Sequence, residues 1–563
     1  MVIPHANGAL RECESLRASL ASLSESLDST CCLSFSLASK IRVRREAVTL
    51  KSISPVSLKG EGDACCDGKV SLEVTVAIVF SPGAIPYEEL PPIVVRNTLG
   101  GRLEEFRPLE PGLVRMYVCG PTVYDDTHLG HARTYVAFDA IKRYLRLRGY
   151  NVIHVQNITD IDDKIIQRAS REGRSWREIA EKYAREYFSM LKALKITVDI
   201  HPRVTEHIRE IIAFIERLIE KGYAYQAPSG SVYFDVDSYK DYGELSGRIH
   251  PEEWRQEEDV LREKKHPYDF ALWKAWKPGE PYWESPWGRG RPGWHIECSV
   301  MSSLYLGEQF DIHGGGQDLV FPHHENEKAQ SEALFGKKPW VKYWLHTGYL
   351  TISGEKMSKS LGNIVSVKEA LKKWSPEILR LWLLSSHYRS QLDFNEESLE
   401  QAKLNLVRIN GAFQDVLRIM REAEPEPRLN DKERKIMAML VRAYHDFHKA
   451  MSSDFNTSKA LSAVMDAVRI INRDITPLES YTLSTMAYRI LKEFNTVYDV
   501  LAPQQAPVDI TEDLINLLVK VRGELRKMKL YDLADSIRSD MAELGIRLLD
   551  YPGGRTVWRF ERK

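Results

Sequence analysis

Cysteine is nearly missing from most of this chain. Of seven cysteines in 563 residues, five (Cys13, Cys31, Cys32, Cys65 and Cys66) fall in the first 66 positions. Only Cys119 and Cys298 lie in the nearly 500 residues that follow. That distribution excludes a secreted disulfide scaffold and suggests an intracellular protein in which each of the two has a task. No run approaches the roughly 18–20 apolar residues that a membrane span needs. Neither sign of charge is in excess, with 78 Lys and Arg against 79 Asp and Glu and a formal net charge of −1. A blanket polycation is thereby excluded, whereas nucleic acid held on local basic patches is not. With 43% hydrophobic and 28% charged residues, the bulk of the chain is neither collagen-like nor disordered. The length predicts several domains.

Residues 1–92 differ from the rest. The first 60 hold twelve serines and no tryptophan, and only Leu72–Phe80 reads as a strand. Two readings stand: a targeting extension, or a stretch upstream of a true start near Val94. Early acids (Glu12, Glu14, Glu25, Asp28) favour the second, although no methionine lies between Met1 and Met116. Further on, Leu113–Val118 is a predicted strand ending in Cys119-Gly120-Pro121. A helical pattern over 131–149, a strand at Asn151–Ile158 and a helix from Ile161 follow. This rhythm predicts a parallel sheet in a doubly wound α/β domain, with ligands beyond the strands' carboxyl ends, near Cys119 and Thr159. Residues 206–293 interrupt that domain. Trp273, Trp276, Trp283, Trp287 and Trp294 crowd into 22 positions there and read mainly as packing residues. Ser375-Pro376-Glu377 is a helix start, with Ser as N-cap and Pro in the first turn. Amphipathic helices then run to about residue 502, and a Pro-containing link, Ala502–Val508, leads to a last compact unit.

Three motifs carry chemistry. Asp126-Thr127-His128-Leu129-Gly130-His131 puts two imidazoles at a helix N-terminus, where backbone N–H groups, the dipole and ring donors can face phosphate. Gly130 removes the side chain that would keep a flat base from the backbone. Lys356-Met357-Ser358-Lys359-Ser360 follows a strand-like run, Tyr343–Ile352, and brackets hydroxyls with lysines able to close on a triphosphate. Alone, the first reads equally well as surface and the second more often as a solvated face; in this order on an α/β sheet they point to ATP. Asp311-Ile312-His313-Gly314-Gly315-Gly316-Gln317-Asp318 lets backbone approach a ligand, with Asp318 placed for a ribose hydroxyl. Next comes Phe321-Pro322-His323-His324-Glu325-Asn326-Glu327, where His323 and Glu327 share a helix face at i and i+4. With Cys119 and Cys298 they make a donor set of zinc type.

These stretches resemble one family, the cysteinyl-tRNA synthetases among the class I aminoacyl-tRNA synthetases. The matching runs are Tyr117–Asp125, the HLGHART run, Asn157–Ile166, Pro292–Ser299, Phe310–Glu327 and KMSKS, in family order from about Val94 to Lys563. HLGH carries leucine where isoleucine is commoner, and residues 1–92 have no counterpart. The resemblance implies a class I Rossmann-like catalytic domain with an inserted connective domain, an α-helical bundle and a small C-terminal anticodon-binding domain. The expected boundaries are 1–92 for the extension, 93–205 and 294–336 for the catalytic halves, and 206–293 for the insert. Residues 337–398 would hold the KMSKS loop and stem-contact region, 399–505 a tRNA-binding bundle, and 506–563 the anticodon-binding end.

The resemblance also implies one Zn²⁺ on Cys119, Cys298, His323 and Glu327 that binds the substrate thiolate and so rejects serine. A hydrophobic pocket distinguishes such near-isosteres by only about 1–3 kcal/mol. Thr159 and Trp294 would line the amino-acid pocket. His128, Gly130, His131, Lys356 and Lys359 would serve ATP phosphates, and Gly315 with Asp318 the adenosine, with Mg²⁺ accompanying ATP. Arg526, Tyr531, Asp535 and Asp550 match positions that contact a GCA anticodon; Tyr531 stands where some relatives have tryptophan. A cytoplasmic monomer acting on ATP, L-cysteine and tRNA-Cys, with no membrane, is the expectation. A cysteine ligase of the mycothiol pathway shares such a core but lacks an anticodon-binding end. A non-catalytic regulator has no use for intact HLGH and KMSKS.

Overall fold

The structure is a computed structural model that describes residues 90–248, 250, 263–352, 354–357, 362–426, 428–501, 511–551 and 555–560. All of these but Leu90 and Pro91 belong to the second of the chain's two units, Pro92–Lys563. The strand expected at Leu72–Phe80, Lys359 and the link Ala502–Val508 lie outside the described residues.

A short hairpin, β1 (Val94–Arg96) and β2 (Leu103–Glu105), leads into β3 (Leu113–Val118). Helix α1 (Leu129–Leu147) then crosses to β4 (Asn151–Gln156), a parallel neighbour of β3. After helices α2 (Asp163–Glu172), α3 (Trp176–Ala193) and α4 (Ile208–Glu220) the chain forms an antiparallel sheet. Its strands are β5 (Ala224–Gln226), β6 (Val232–Phe234), β7 (Phe270–Ala275) and β8 (Gly290–Pro292). Helix α5 (Trp294–Leu306), β9 (Phe310–Gly316), helix α6 (Glu325–Phe335) and β10 (Val341–Thr347) complete the parallel sheet. Its order is β10-β9-β3-β4, with every pairing parallel. From β3 the chain first builds outward to β4 and later returns on the other side as β9. The gap beyond β3 and β9 is therefore the switch point at which such sheets bind ligands.

Local chemistry explains the boundaries. His128 caps α1, its Nδ1 accepting from His131 N at 3.3 Å. Ser175 and Glu178 form a reciprocal capping box on α3. Ser375 accepts from Ile378 N and Pro376 occupies the first turn of the helix it opens, as its sequence predicts. Strand β3 buries Val114, Met116, Tyr117 and Val118 because helices cover both faces of a parallel sheet. The interrupting segment packs most of its described apolar residues into the core of the parallel sheet. Ile211, Phe214 and Leu218 of α4 with Phe234, Leu272 and Trp273 of its sheet share one apolar cluster with Phe310, Trp340 and Val341.

Beyond β10 come β11 (Leu350–Ile352), β12 (Glu355–Lys356), helices α7 (Val367–Lys373) and α8 (Pro376–Leu384), and β13 (Leu392–Asp393). Four long helices follow: α9 (Glu396–Glu422), α10 (Asp431–Ser452), α11 (Thr457–Ile470) and α12 (Tyr481–Tyr498). The last elements are α13 (Thr511–Lys527), α14 (Tyr531–Glu543) and the hairpin β14 (Ile546–Tyr551) with β15 (Arg555–Phe560). They enclose a small core of Ile515, Met541, Ile546 and Leu548. Among the described residues, no helix is long and apolar enough to cross a membrane.

Candidate active site

Four side chains distant in sequence converge at the switch point. Cys119 directly follows β3, Cys298 lies in α5, and His323 and Glu327 flank the start of α6. All four are buried, and their ligand atoms lie within 4.8 Å of one another. Cys119 Sγ is 3.9 Å from Cys298 Sγ and 3.6 Å from Glu327 Oε1, and His323 Nε2 is 2.9 Å from that oxygen. A tetrahedral zinc with bonds of about 2.3 Å to sulfur and about 2.0 Å to oxygen separates two sulfurs by about 3.8 Å and sulfur from oxygen by about 3.5 Å. The donor set and its spacing fit that ion. His323 and Glu327 meet as the i, i+4 spacing implies, although the chain leading into their turn is irregular, with Phe321 extended.

Glu327 and His323 hold each other as an ion pair. Burial would raise Glu327, yet the imidazoles of His313 and His323 outweigh it and hold the carboxyl at about 2. Burial would lower His323, but Glu327 and Cys298 carry it up to about 10. Burial pushes the Cys119 thiol up, whereas hydrogen bonds from Cys119 and His323 overcome burial at Cys298 and hold it near 6.

Behind this set stand histidines that motif reading did not single out as site residues. His313 Nε2 is 2.8 Å from Glu327 Oε2, His324 Nε2 is 3.2 Å from Cys119 Sγ, and His324 Nδ1 is 2.7 Å from His346 Nε2. Cys119, His313, His324 and Glu327 form a second grouping of ligand atoms. It has one sulfur instead of two. Softness favours the two-cysteine set for zinc. The burial of His313 and His346 follows from their alternation with Ile312 and Leu345 on parallel strands, a signal present in the sequence but pointing only to packing.

The two residues expected at the amino acid lie beside this cluster. Trp294 stacks on His323, ring centroids 4.1 Å apart. Thr159, past the end of β4, donates its hydroxyl to Glu297 Oε2 at 2.8 Å. Gly120 is dictated by close approach, since a Cβ there would fall 1.7 Å from Asn157 O.

The nucleotide motifs also meet. The rings of His128 and His131 stack at 3.7 Å, and a Cβ on Gly130 would come within 3.0 Å of the His128 ring and 3.2 Å of Met357 Cε. Strand β12, which ends at Lys356, pairs with β11, and Leu129 N donates to Val365 O. The segments on both sides of residues 358–361 therefore attach to the neighbourhood of HLGH. Gly314 admits Phe138 of α1, whose ring atom Cζ would stand 2.1 Å from an added Cβ. A Cβ on Gly315 would meet His324 at 2.8 Å, and Asp318 is exposed just beyond β9.

At the C-terminal end, Asp550 is already engaged. It accepts from both Nη atoms of buried Arg522 at 2.9 and 2.8 Å, from Arg526 at 3.1 Å and from Thr556 at 2.7 Å. Those donors hold its carboxyl well below the usual range. Tyr531 and Asp535 are exposed on α14, apart from this ion cluster in hydrogen bonding.

Known proteins agree with this geometry. The profile described as tRNA synthetases class I (C) catalytic domain matches residues 105–404, and the DALR domain matches 446–502. A cysteine–tRNA ligase of Aeropyrum pernix is 60% identical over 471 residues, 83% of this chain and 99% of that protein. The chain belongs to the cysteine–tRNA ligase family. Another member, from Staphylothermus marinus, is 58% identical over 472 residues, 83% of this chain and 98% of that protein. Among solved structures, methionyl-tRNA synthetase of Mycobacterium tuberculosis in complex with methionyl-adenylate aligns with a TM-score of 0.53 at 16% identity, covering 72% of this chain and 94% of that one. A LeuRS–tRNA–LeuAMS ternary complex from Agrobacterium radiobacter gives 0.55 at 12% identity, covering 70% and 85%. These two bear on fold alone, and the fold is that of class I synthetases.

Proposed function

We propose that this chain activates L-cysteine with ATP and transfers it to the terminal adenosine of tRNA-Cys, choosing cysteine over serine by metal–thiolate recognition. The observation that carries the reading is the buried Cys119, Cys298, His323 and Glu327 cluster at the switch point of a cysteine–tRNA ligase fold. Those four residues would hold a zinc ion. Bound there, zinc supplies a borderline-soft Lewis acid that prefers a thiolate to a hydroxyl and lowers the thiol's pKa.

The rest is work for the chain's own groups. A carboxylate is ionised at neutral pH, so its in-line attack on the α-phosphorus needs no general base. Catalysis then rests on alignment and on charge placed where phosphate charge grows. His128 and His131, at the N-terminus of α1, face the phosphates, with Lys356 and Lys359 on the pyrophosphate side and Mg²⁺ arriving with ATP. Gly315 and Asp318 serve the adenosine, and Thr159 and Trp294 the amino acid. The end formed by α13, α14 and the β14–β15 hairpin reads a GCA anticodon. Exposed Tyr531 is available for stacking and Arg526 for a base edge or phosphate. The reading includes a cytoplasmic, monomeric enzyme.

The test is charging of a transcript of tRNA-Cys with radiolabelled L-cysteine, beside a transcript whose GCA anticodon is replaced. Charging of the first and a loss of about 100-fold or more with the second is expected, since each lost base contact costs ~1–3 kcal/mol. No charging of either transcript would sink the proposal.

A further inference from the structure

Strands β11, β12 and β13 form a small sheet in the order β12-β11-β13. Its register sets Lys356, Thr351 and Asp393 in one row, with Thr351 opposite Lys356 on one side and Asp393 on the other. Asp393 Oδ1 accepts from Thr351 Oγ1 at 2.8 Å and from Gly354 N at 3.0 Å. One contact holds the central strand, and the other holds the turn that reverses β11 into β12. Gly354 is exposed, with left-handed backbone at φ +82°, and a glycine there has many conformations open to it; the bond to Asp393 selects one. Hydrogen bonds from Gly354, Asn395 and Thr351 hold the Asp393 carboxyl below its ordinary range, so at neutral pH it accepts from all three. Its other oxygen, Oδ2, takes a hydrogen bond from Asn395 Nδ2 at 3.2 Å. Asn395 in turn caps the 27-residue α9, accepting from Ser398 N at 2.8 Å. The braced hairpin ends against HLGH. Met357 N donates to Leu350 O at 3.0 Å, and Met357 Cε stands 3.2 Å from where a Cβ on Gly130 would lie.

We propose that Asp393 is a positioning residue for adenylate formation, its Oδ1 tying Thr351 to Gly354 and so fixing where β12 places Lys356 relative to the histidines of α1. The proposal rests on the reading that Lys356 acts on the pyrophosphate side of ATP. Both donors to Oδ1 are neutral, so the role needs an acceptor oxygen and not a negative charge. Asparagine keeps that oxygen and should replace Asp393; alanine should not. The contact that asparagine gives up is with exposed Asn395, where water can substitute. Charge grows on pyrophosphate only while the adenylate forms or reverts. The later transfer of cysteine to tRNA releases AMP and involves no pyrophosphate, so it is independent of Asp393.

The experiment measures two steps in the full chain and in its Asp393→Ala, Asp393→Asn and Thr351→Val variants. The first is ATP–pyrophosphate exchange with L-cysteine, and the second is single-turnover transfer from enzyme-bound cysteinyl-adenylate to a tRNA-Cys transcript. Loss of two hydrogen bonds predicts a fall of about 10-fold in kcat for exchange in Asp393→Ala. The KM for cysteine and the transfer rate stay within about twofold, a split that general loosening of the fold would not produce. Asp393→Asn returns kcat to within about threefold of wild type. Thr351→Val, which keeps its shape and removes one of the two donors, lowers kcat by less and adds little to Asp393→Ala. It carries the comparison where alanine at 393 does not leave a folded protein. An unchanged kcat in Asp393→Ala, equal losses in exchange and transfer, or no recovery with asparagine overturns the role of Asp393. Undiminished exchange in Lys356→Ala overturns instead the role of Lys356, and a wild-type chain with no cysteine-dependent exchange overturns the ligase reading beneath both.

Discussion

Asp139→Asn is expected to cost the fold more than Arg380→Met, although each breaks the same ion pair. Asp139 lies in α1 and Arg380 in α8, both essentially without solvent exposure. The Asp139 carboxylate also accepts from Arg143 Nε at 2.7 Å and from Thr197 N and Oγ1 at 3.2 and 3.3 Å. Arg380 has no second carboxylate at hydrogen-bond distance; its other acceptors are the carbonyls of Leu194, Val497 and Tyr498. Methionine at 380 thus leaves Asp139 with a cation and two donors, whereas asparagine at 139 strands a buried guanidinium. Removing one partner of a buried pair costs about 3–5 kcal/mol. At ~2.1 cal/mol/K per residue over roughly 470 residues, the unfolding entropy is ~1 kcal/mol/K, so the midpoint should fall by about 3–5 °C. Burial alone would raise Asp139, and Arg380 with Arg143 outweigh it, so its folded pKa lies below the ordinary 3.8. A depressed carboxyl contributes stability above its unfolded pKa and loses it as pH falls through the folded value. The gap between wild type and Asp139→Asn should therefore hold from about pH 5 to 8 and narrow below about pH 4 as pH falls toward the folded value. Calorimetry across that range is the assay. Equal shifts for the two variants, or a gap that does not narrow as acid is added, would refute the reasoning.

Other outcomes follow from the same contacts. Cys298→Ala should lower bound zinc, measured by atomic emission, from about one ion per chain to well below one, with cysteine-dependent exchange lost in parallel. Gly120→Ala places a Cβ 1.7 Å from the Asn157 carbonyl oxygen, backbone that cannot swing aside, and should reduce kcat/KM for cysteine by over about 100-fold while helix content by circular dichroism is retained. Asp550→Asn removes the bidentate partner of Arg522 and should raise the KM for tRNA about tenfold or more, with ATP–pyrophosphate exchange unchanged. A matching fall in exchange would show that Asp550 acts beyond the anticodon end.

The parallel sheet, the capped start of α8 and the convergence of two lone cysteines with His323 and Glu327 were legible because each leaves a local signature. Alternation and turn residues mark strands, Ser-Pro-Glu marks a helix start, and rare cysteines draw attention to themselves. What escaped the sequence is pairing at long range. Asn157, Thr159 and Glu297 read individually as polar residues at element ends, and only the fold sets them in series. Asp139 is one more polar residue in an amphipathic helix until α8 brings Arg380 to it. His313 and His346 sit on strands as core residues do, and periodicity reports burial without saying what lies on the far side. The resemblance led to the expectation that Asp550 contacts a base, while its carboxylate is here shared among Arg522, Arg526 and Thr556. A motif match carries residue identity but not hydrogen-bond occupancy.

The central claim is that four residues around Cys119 and Cys298 select a thiol. Its most direct test is ATP–pyrophosphate exchange by the zinc-loaded wild-type chain with L-cysteine and with L-serine, repeated after the metal is removed by chelation and restored. Exchange with cysteine more than about 1,000-fold above serine, lost on chelation and recovered with zinc, is the predicted result. Comparable exchange with serine, or cysteine selectivity that survives loss of the metal, would contradict it.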